Sequence, residues 1–125
     1  MTRLAVSIMV QSLEQALADA AQAAERGADL VEYRIDLFTE DHEALAALVD
    51  RSPLPCIMTC RPEWECGQYA GDEAARFDAL QAACSAVQPP TYLDVELEAH
   101  LGRRGEGDAP TVAQRVQRMV RRGVE

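Results

Sequence analysis

An alternation constrains this chain more than any other feature: short apolar runs are each followed by a longer stretch with helical spacing. Residues 4–10, "LAVSIMV", form an apolar run of strand length. Ser12 and Gln15 then make a capping box, and the helix "LEQALADAAQAAER" runs to Gly27, a C-terminal cap residue. A second strand is expected over 29–38, and a helix over "DHEALAALVDR" that stops at "SPLP". "CIMTCR", 56–61, reads as a third strand, followed by the loop "PEWECGQYAG". Asp72 is placed to cap a helix through "EAARFDALQAACSAV", which "QPP" breaks. "TYLDVELE", 91–98, reads as strand four. Beyond a Gly/Arg-rich link, Thr111 and Gln114 form another capping box, and the last helix sets Val112, Val116, Met119 and Val120 on one face. The order β-α-β-α-β-α-β-α implies parallel strands joined by right-handed crossovers. Nothing in it divides the chain into two domains.

Strand two carries the most informative pattern. In "LVEYRIDLF" Glu32, Arg34 and Asp36 share one parity, and Val31, Tyr33, Ile35 and Leu37 the other. A strand covered by helices on both faces reads instead as a continuous apolar run. The other strands repeat the asymmetry. Ser7 opposes Val6 and Ile8; Thr59 and Arg61 share a face with Ile57; Asp94 and Glu96 oppose Leu93, Val95 and Leu97. In a parallel sheet these second faces lie side by side, with their charges toward the C-terminal strand ends, where α/β folds place ligand sites. Glu32, Arg34, Asp36, Arg61, Asp94 and Glu96 are therefore expected to meet in one mostly buried pocket. For Asp36 and Asp94 a neutralising ion network explains the charge as well as a binding role does. Two arginines beside a carboxylate suit an anionic, hydroxyl-rich ligand, because each guanidinium offers a permanently charged, planar fork of donors.

Composition narrows the chemistry. A formal charge of -9 argues against sequence-independent nucleic-acid binding, and the arginines of "RVQRMVRR" are expected on a solvated helix face. All twelve basic residues are arginine, so no side-chain amine is available for a Schiff base. On a strand, Cys56 and Cys60 would lie about 13 Å apart at roughly 3.3 Å per residue, too far to share a zinc ion; no metal site is expected. No stretch is long and apolar enough for a membrane span. "MTRLAVSIMVQSLEQ" lacks the pattern of a secretory leader, so a cytoplasmic location is expected, with neither membrane nor nucleic acid as partner.

"GADLVEYRIDLF", "PLPCIMTCRPEWECGQYAGDEAARFDAL" and "YLDVELE" together resemble type I 3-dehydroquinate dehydratase, especially the plant-like form often fused to shikimate dehydrogenase. The resemblance covers about residues 3–98 and implies an α/β fold, the N-terminal half of a (β/α)8 barrel: strands one to four of eight in a single partial domain over residues 1–125. It implies a lyase that converts 3-dehydroquinate to 3-dehydroshikimate and water through an imine with a lysine, with no metal or organic cofactor. It implies that Glu32 hydrogen-bonds substrate hydroxyls, that Arg34 holds the charge balance beside it, and that Arg61 contacts the substrate's polar groups. Glu65 would orient the general-base histidine. The imine lysine and that histidine lie on later strands of the family. His42 and His100 do not match the motif and are expected at the surface, and Cys66 stands where the family usually has a glycine.

The expectation is a substrate-positioning half that is inactive alone and self-associates or pairs with a complementary C-terminal half. The alternative is a non-catalytic module that kept the half-barrel and lost the chemistry.

Overall fold

The computed structural model describes residues 1–101, 109–121, 123 and 124. Four parallel strands, β1 (Ala5–Met9), β2 (Leu30–Arg34), β3 (Cys56–Thr59) and β4 (Tyr92–Leu93), lie in the order β1-β2-β3-β4. Between them run α1 (Leu13–Glu25), α2 (His42–Arg51) and α3 (Glu73–Ala83); a single 3-10 turn, Glu63–Glu65, interrupts the loop after β3. Two further helices, α4 (Leu97–His100) and α5 (Ala109–Val120), follow β4. The sheet is open, with β1 and β4 at its edges. This is the expected partial (β/α) barrel.

Local signals set the helix ends. Ser12 and Gln15 exchange both bonds of their capping box, and Gly27 ends the first helical unit at φ 92°, a left-handed conformation that suits glycine. Asp41 and Asp72 each accept a backbone N–H three residues on. The alternation in β2 is realised: Val31, Tyr33 and Ile35 are fully buried, whereas Glu32 and Arg34 are half-buried on the other side. Cys56, Met58 and Cys60 continue the buried side, and Leu45, Leu48, Phe77 and Leu80 of α2 and α3 belong to the same core. Burial pushes both thiols, Cys56 and Cys60, up to about 12, so both stay protonated at neutral pH.

Strand four is much shorter than expected. The alternation in 91–98 predicts a long strand, yet only Tyr92–Leu93 pair fully with β3. Asp94 N–H adds one more bond, to the Met58 carbonyl at 3.0 Å. The next acceptor in that ladder is the carbonyl of Cys60, and it receives Arg76 Nη1 at 2.9 Å instead. The chain then turns into α4, and Leu97 is exposed rather than packed beneath the helices. α3 is also shorter than its sequence pattern: the Ser85 N–H and hydroxyl both bond back to the Ala82 carbonyl and close its end.

α5 is helical from residue 109, so Thr111 lies within the helix rather than capping it. The expected capping bond of Thr111 and the packing of Val112 and Val120 fall outside the described side chains, as does the Gly/Arg-rich link. Of the arginines expected on a solvated face, Arg118 and Arg121 are exposed. Arg115 reaches back to α3, where it pairs with Asp78 at 2.5 Å and bonds Gln81 at 3.2 Å.

Candidate functional site

The polar face is assembled strand by strand. Register places Ser7 beside Glu32, and Arg34 beside Thr59. Ser7 Oγ donates to one Glu32 oxygen at 2.6 Å and Thr59 Oγ1 to the other at 2.9 Å. Both flanking strands thus hold this carboxylate through neutral hydroxyls, which fix its orientation.

Two residues on, Arg34 forks onto Asp36, with Nε to Oδ1 at 3.2 Å and Nη2 to Oδ2 at 2.5 Å. The Asp36 side chain is wholly buried. It also accepts the backbone N–H of Arg61 at 2.9 Å and of Gln68 at 3.0 Å. Burial favours the neutral acid here, but Arg34 and the two amides outweigh it and hold the carboxyl below its ordinary value. Asp36 therefore ties the end of β2 to the loop after β3.

That loop, 61–69, closes on itself. Tyr69 N–H donates to the Arg61 carbonyl, Gly67 N–H to that of Pro62, and Glu63 N–H to that of Tyr69. Gly67 sits so close to Arg61 that a β-carbon there would collide with the Arg61 carbonyl. The 3-10 turn carries Glu65 to the surface, and Cys66 follows it at φ 61°. Arg61 is held at its backbone by Asp36, while its Nη2 pairs with Asp94 Oδ2 at 3.2 Å.

Beneath this loop is a residue that sequence reasoning missed. Arg76 of α3 is fully buried and bonds both Glu73 oxygens at 3.1 and 2.6 Å, Glu96 Oε2 at 2.6 Å and the Cys60 carbonyl. Its guanidinium lies 4.8 Å from the Phe77 ring centroid. One cation here faces two carboxylates. Desolvation would make Arg76 easier to deprotonate, but its bonds to Glu73 above all reverse the effect. Glu96 is the surplus anion: desolvation, opposed but not cancelled by Arg76, pushes its carboxyl up. In "EAARFDAL" an arginine three residues after a glutamate looks like an ordinary solvated helix pair, so no sequence signal marked it.

The six charges expected in one buried pocket are therefore divided. Glu32, Arg34 and Asp36 form a wired row along β2. Arg61, Glu65, Asp94 and Glu96, with Leu97 and Glu98, line a separate cavity of about 400 Å³. It is not mostly buried, since the Arg61 and Asp94 side chains are 42% and 37% exposed. Asp36 links the two groups through the Arg61 amide. A hollow of similar size, about 420 Å³, lies at the free flank of β1 against α1; it is lined by Ser7 but by none of these charged residues. The charges converge at the strand ends rather than there. His42 and His100 are both exposed, as expected.

Residues 4–115 match the family described as type I 3-dehydroquinase. The bifunctional 3-dehydroquinate dehydratase/shikimate dehydrogenase, chloroplastic, of Arabidopsis thaliana is 41% identical over 93 residues, which cover 73% of this chain and 15% of that protein. The 3-dehydroquinate dehydratases of Haloquadratum walsbyi and Methanosarcina acetivorans are 36% and 34% identical, covering 82% and 74% of this chain and 44% and 40% of theirs. The chain spans less than half the length of these relatives.

Proposed function

The chain belongs to the type I 3-dehydroquinase family, and on that premise we propose that it is the substrate-positioning half of a 3-dehydroquinate dehydratase, a single partial barrel domain holding strands one to four of eight. The observation that carries this reading is the row of Glu32, Arg34 and Asp36, with Glu32 held from both neighbouring strands, on the face where a barrel of this kind binds its ligand.

The proposed reaction removes a proton from the carbon beside a ketone and expels a hydroxyl group as water. The electron pair left on carbon needs a sink, and a protonated imine on a lysine supplies one. Each oxygen of Glu32 accepts one hydroxyl and retains a lone pair for a substrate hydroxyl. Arg34, neutralised on its fork side by Asp36, keeps the charge balance next to it. Arg61 offers its remaining donors to the substrate's polar groups. Glu65, exposed on its turn, is free to orient a histidine brought by complementary strands. The sequence contains no lysine, so elimination by this chain alone lacks its electron sink.

The partner in this reading is a complementary C-terminal half or a second copy, which would cover the open edges of β1 and β4. A cytoplasmic location belongs to the same proposal; among the described residues no helix is long and apolar enough to cross a membrane. The test is the ultraviolet absorbance of 3-dehydroshikimate formed from 3-dehydroquinate. The purified chain is expected to show no turnover alone, and turnover once a segment carrying the lysine- and histidine-bearing strands is added. Turnover by the chain alone would overturn the half-site reading.

A further inference from the structure

The 3-10 turn Glu63–Glu65 sends its middle side chain inward. Glu63 and Glu65 are exposed, whereas Trp64 is half-buried and packs against the core. Its indole Nε1 donates to Glu73 Oε1 at 3.4 Å, and its ring centroid lies 6.0 Å from the Arg76 guanidinium. Glu73 has little room to move, because Arg76 bonds both of its oxygens, at 3.1 and 2.6 Å. A buried ion pair on α3 is thus the anchor on which the indole ends.

The other fastenings of this loop act elsewhere. Asp36 accepts the N–H groups of Arg61 and Gln68, and Tyr69 N–H closes the stem on the Arg61 carbonyl. Within the turn, Glu65 N–H donates to the Pro62 carbonyl and Cys66 N–H to that of Glu63. Bonds of three-residue span fix the shape of a turn and not its place on the protein. The Trp64 indole reaches out of the loop to α3, and its neighbour Glu65 lines the cavity of about 400 Å³ with Arg61. We propose that Trp64 is a positioning residue, which pins the turn to the Glu73–Arg76 pair and so sets where the Glu65 carboxylate stands in that cavity. It acts through Glu65 and touches no substrate. The proposal deepens the reading given above and rests on it for what Glu65 does.

The experiment compares the full chain with Trp64→Phe, which keeps an aromatic ring and removes the N–H. Backbone order parameters from nitrogen-15 relaxation are expected to fall at Glu65 and Cys66 from about 0.85 to below about 0.6, and to hold at Gln68 and Tyr69, which the stem fastens. The urea midpoint is expected to stay in place. With the lysine- and histidine-bearing segment added, kcat is expected to fall roughly tenfold and KM to change little, because a displaced Glu65 misorients the base and leaves substrate contacts intact. Unchanged order at Glu65 would overturn the proposal. A lower midpoint with order lost at Gln68 and Tyr69 as well would make Trp64 a residue of general stability and overturn it too. Should the variant fail to fold, the unmodified chain decides: its single tryptophan gives one indole N–H signal, expected to be protected from solvent exchange, and a rapidly exchanging signal would overturn the anchor. No turnover from the unmodified mixture would count against the dehydratase reading and leave the order parameters to decide the positioning.

Discussion

At the scale of single residues, conformation and chemistry disagree at Cys66. It holds φ 61° at the end of the 3-10 turn, a left-handed backbone that costs a residue with a β-carbon about 1–2 kcal/mol. Its thiol is exposed and shares no disulfide. Cys66→Gly is therefore expected to stabilise the chain by roughly 1 kcal/mol, read as a higher urea midpoint at unchanged slope. An unchanged or lower midpoint would mean that the thiol makes up for the strain. The sequence shows a cysteine here where the resemblance implies a glycine; that Cys66 takes a left-handed backbone was not legible in it.

At the scale of elements, Asp36 joins the end of β2 to the loop after β3, and its removal tests that junction. Asp36→Asn breaks a buried ion pair and is expected to cost about 3 kcal/mol in chemical denaturation, since Arg34 loses its counter-charge. The pH dependence has a definite sign. The Asp36 carboxyl is held below its ordinary 3.8, so its contribution is fully present above pH 3.8 and is lost as pH falls through the lower folded value. Glu96 runs the other way. Its carboxyl is raised above 4.5, so its contribution is complete below pH 4.5 and fades as pH rises through the folded value. In Asp36→Asn the acid loss of stability is expected to shrink; an unchanged acid limb would assign that limb to other carboxylates. Much at this scale could be read in advance. Ser12, Asp72 and Gly27 marked helix ends through purely local bonds, and the parity of β2 announced its polar face. The length of β4 could not be read, because its alternation continues to Leu97 while Glu96 is drawn to Arg76, a partner from α3. Arg76 was invisible for the same reason: what buries it comes from Glu96, Cys60 and Phe77, which only the fold brings together.

Across the whole molecule, four strands leave two edges and a charged face without cover. Backbone groups along β1 and β4 are open to pairing with another chain. The net charge of -9 opposes indiscriminate aggregation, so the expected outcome is limited association rather than precipitation. Sedimentation at increasing concentration should show a reversible rise above the monomer mass. A folded species that stays monomeric throughout would count against edge pairing. The partial barrel was legible from the alternation of elements. The division of its charges into a wired row and a separate cavity was not, because it depends on where each side chain finds a partner.

Arg76 crosses from the helix layer to the sheet: its guanidinium bonds the Cys60 carbonyl just after β3, Glu73 of its own helix and Glu96 beyond β4. One side chain therefore sets the spacing of three segments, and a shorter side chain at this position would leave each of them with a buried polar group to satisfy.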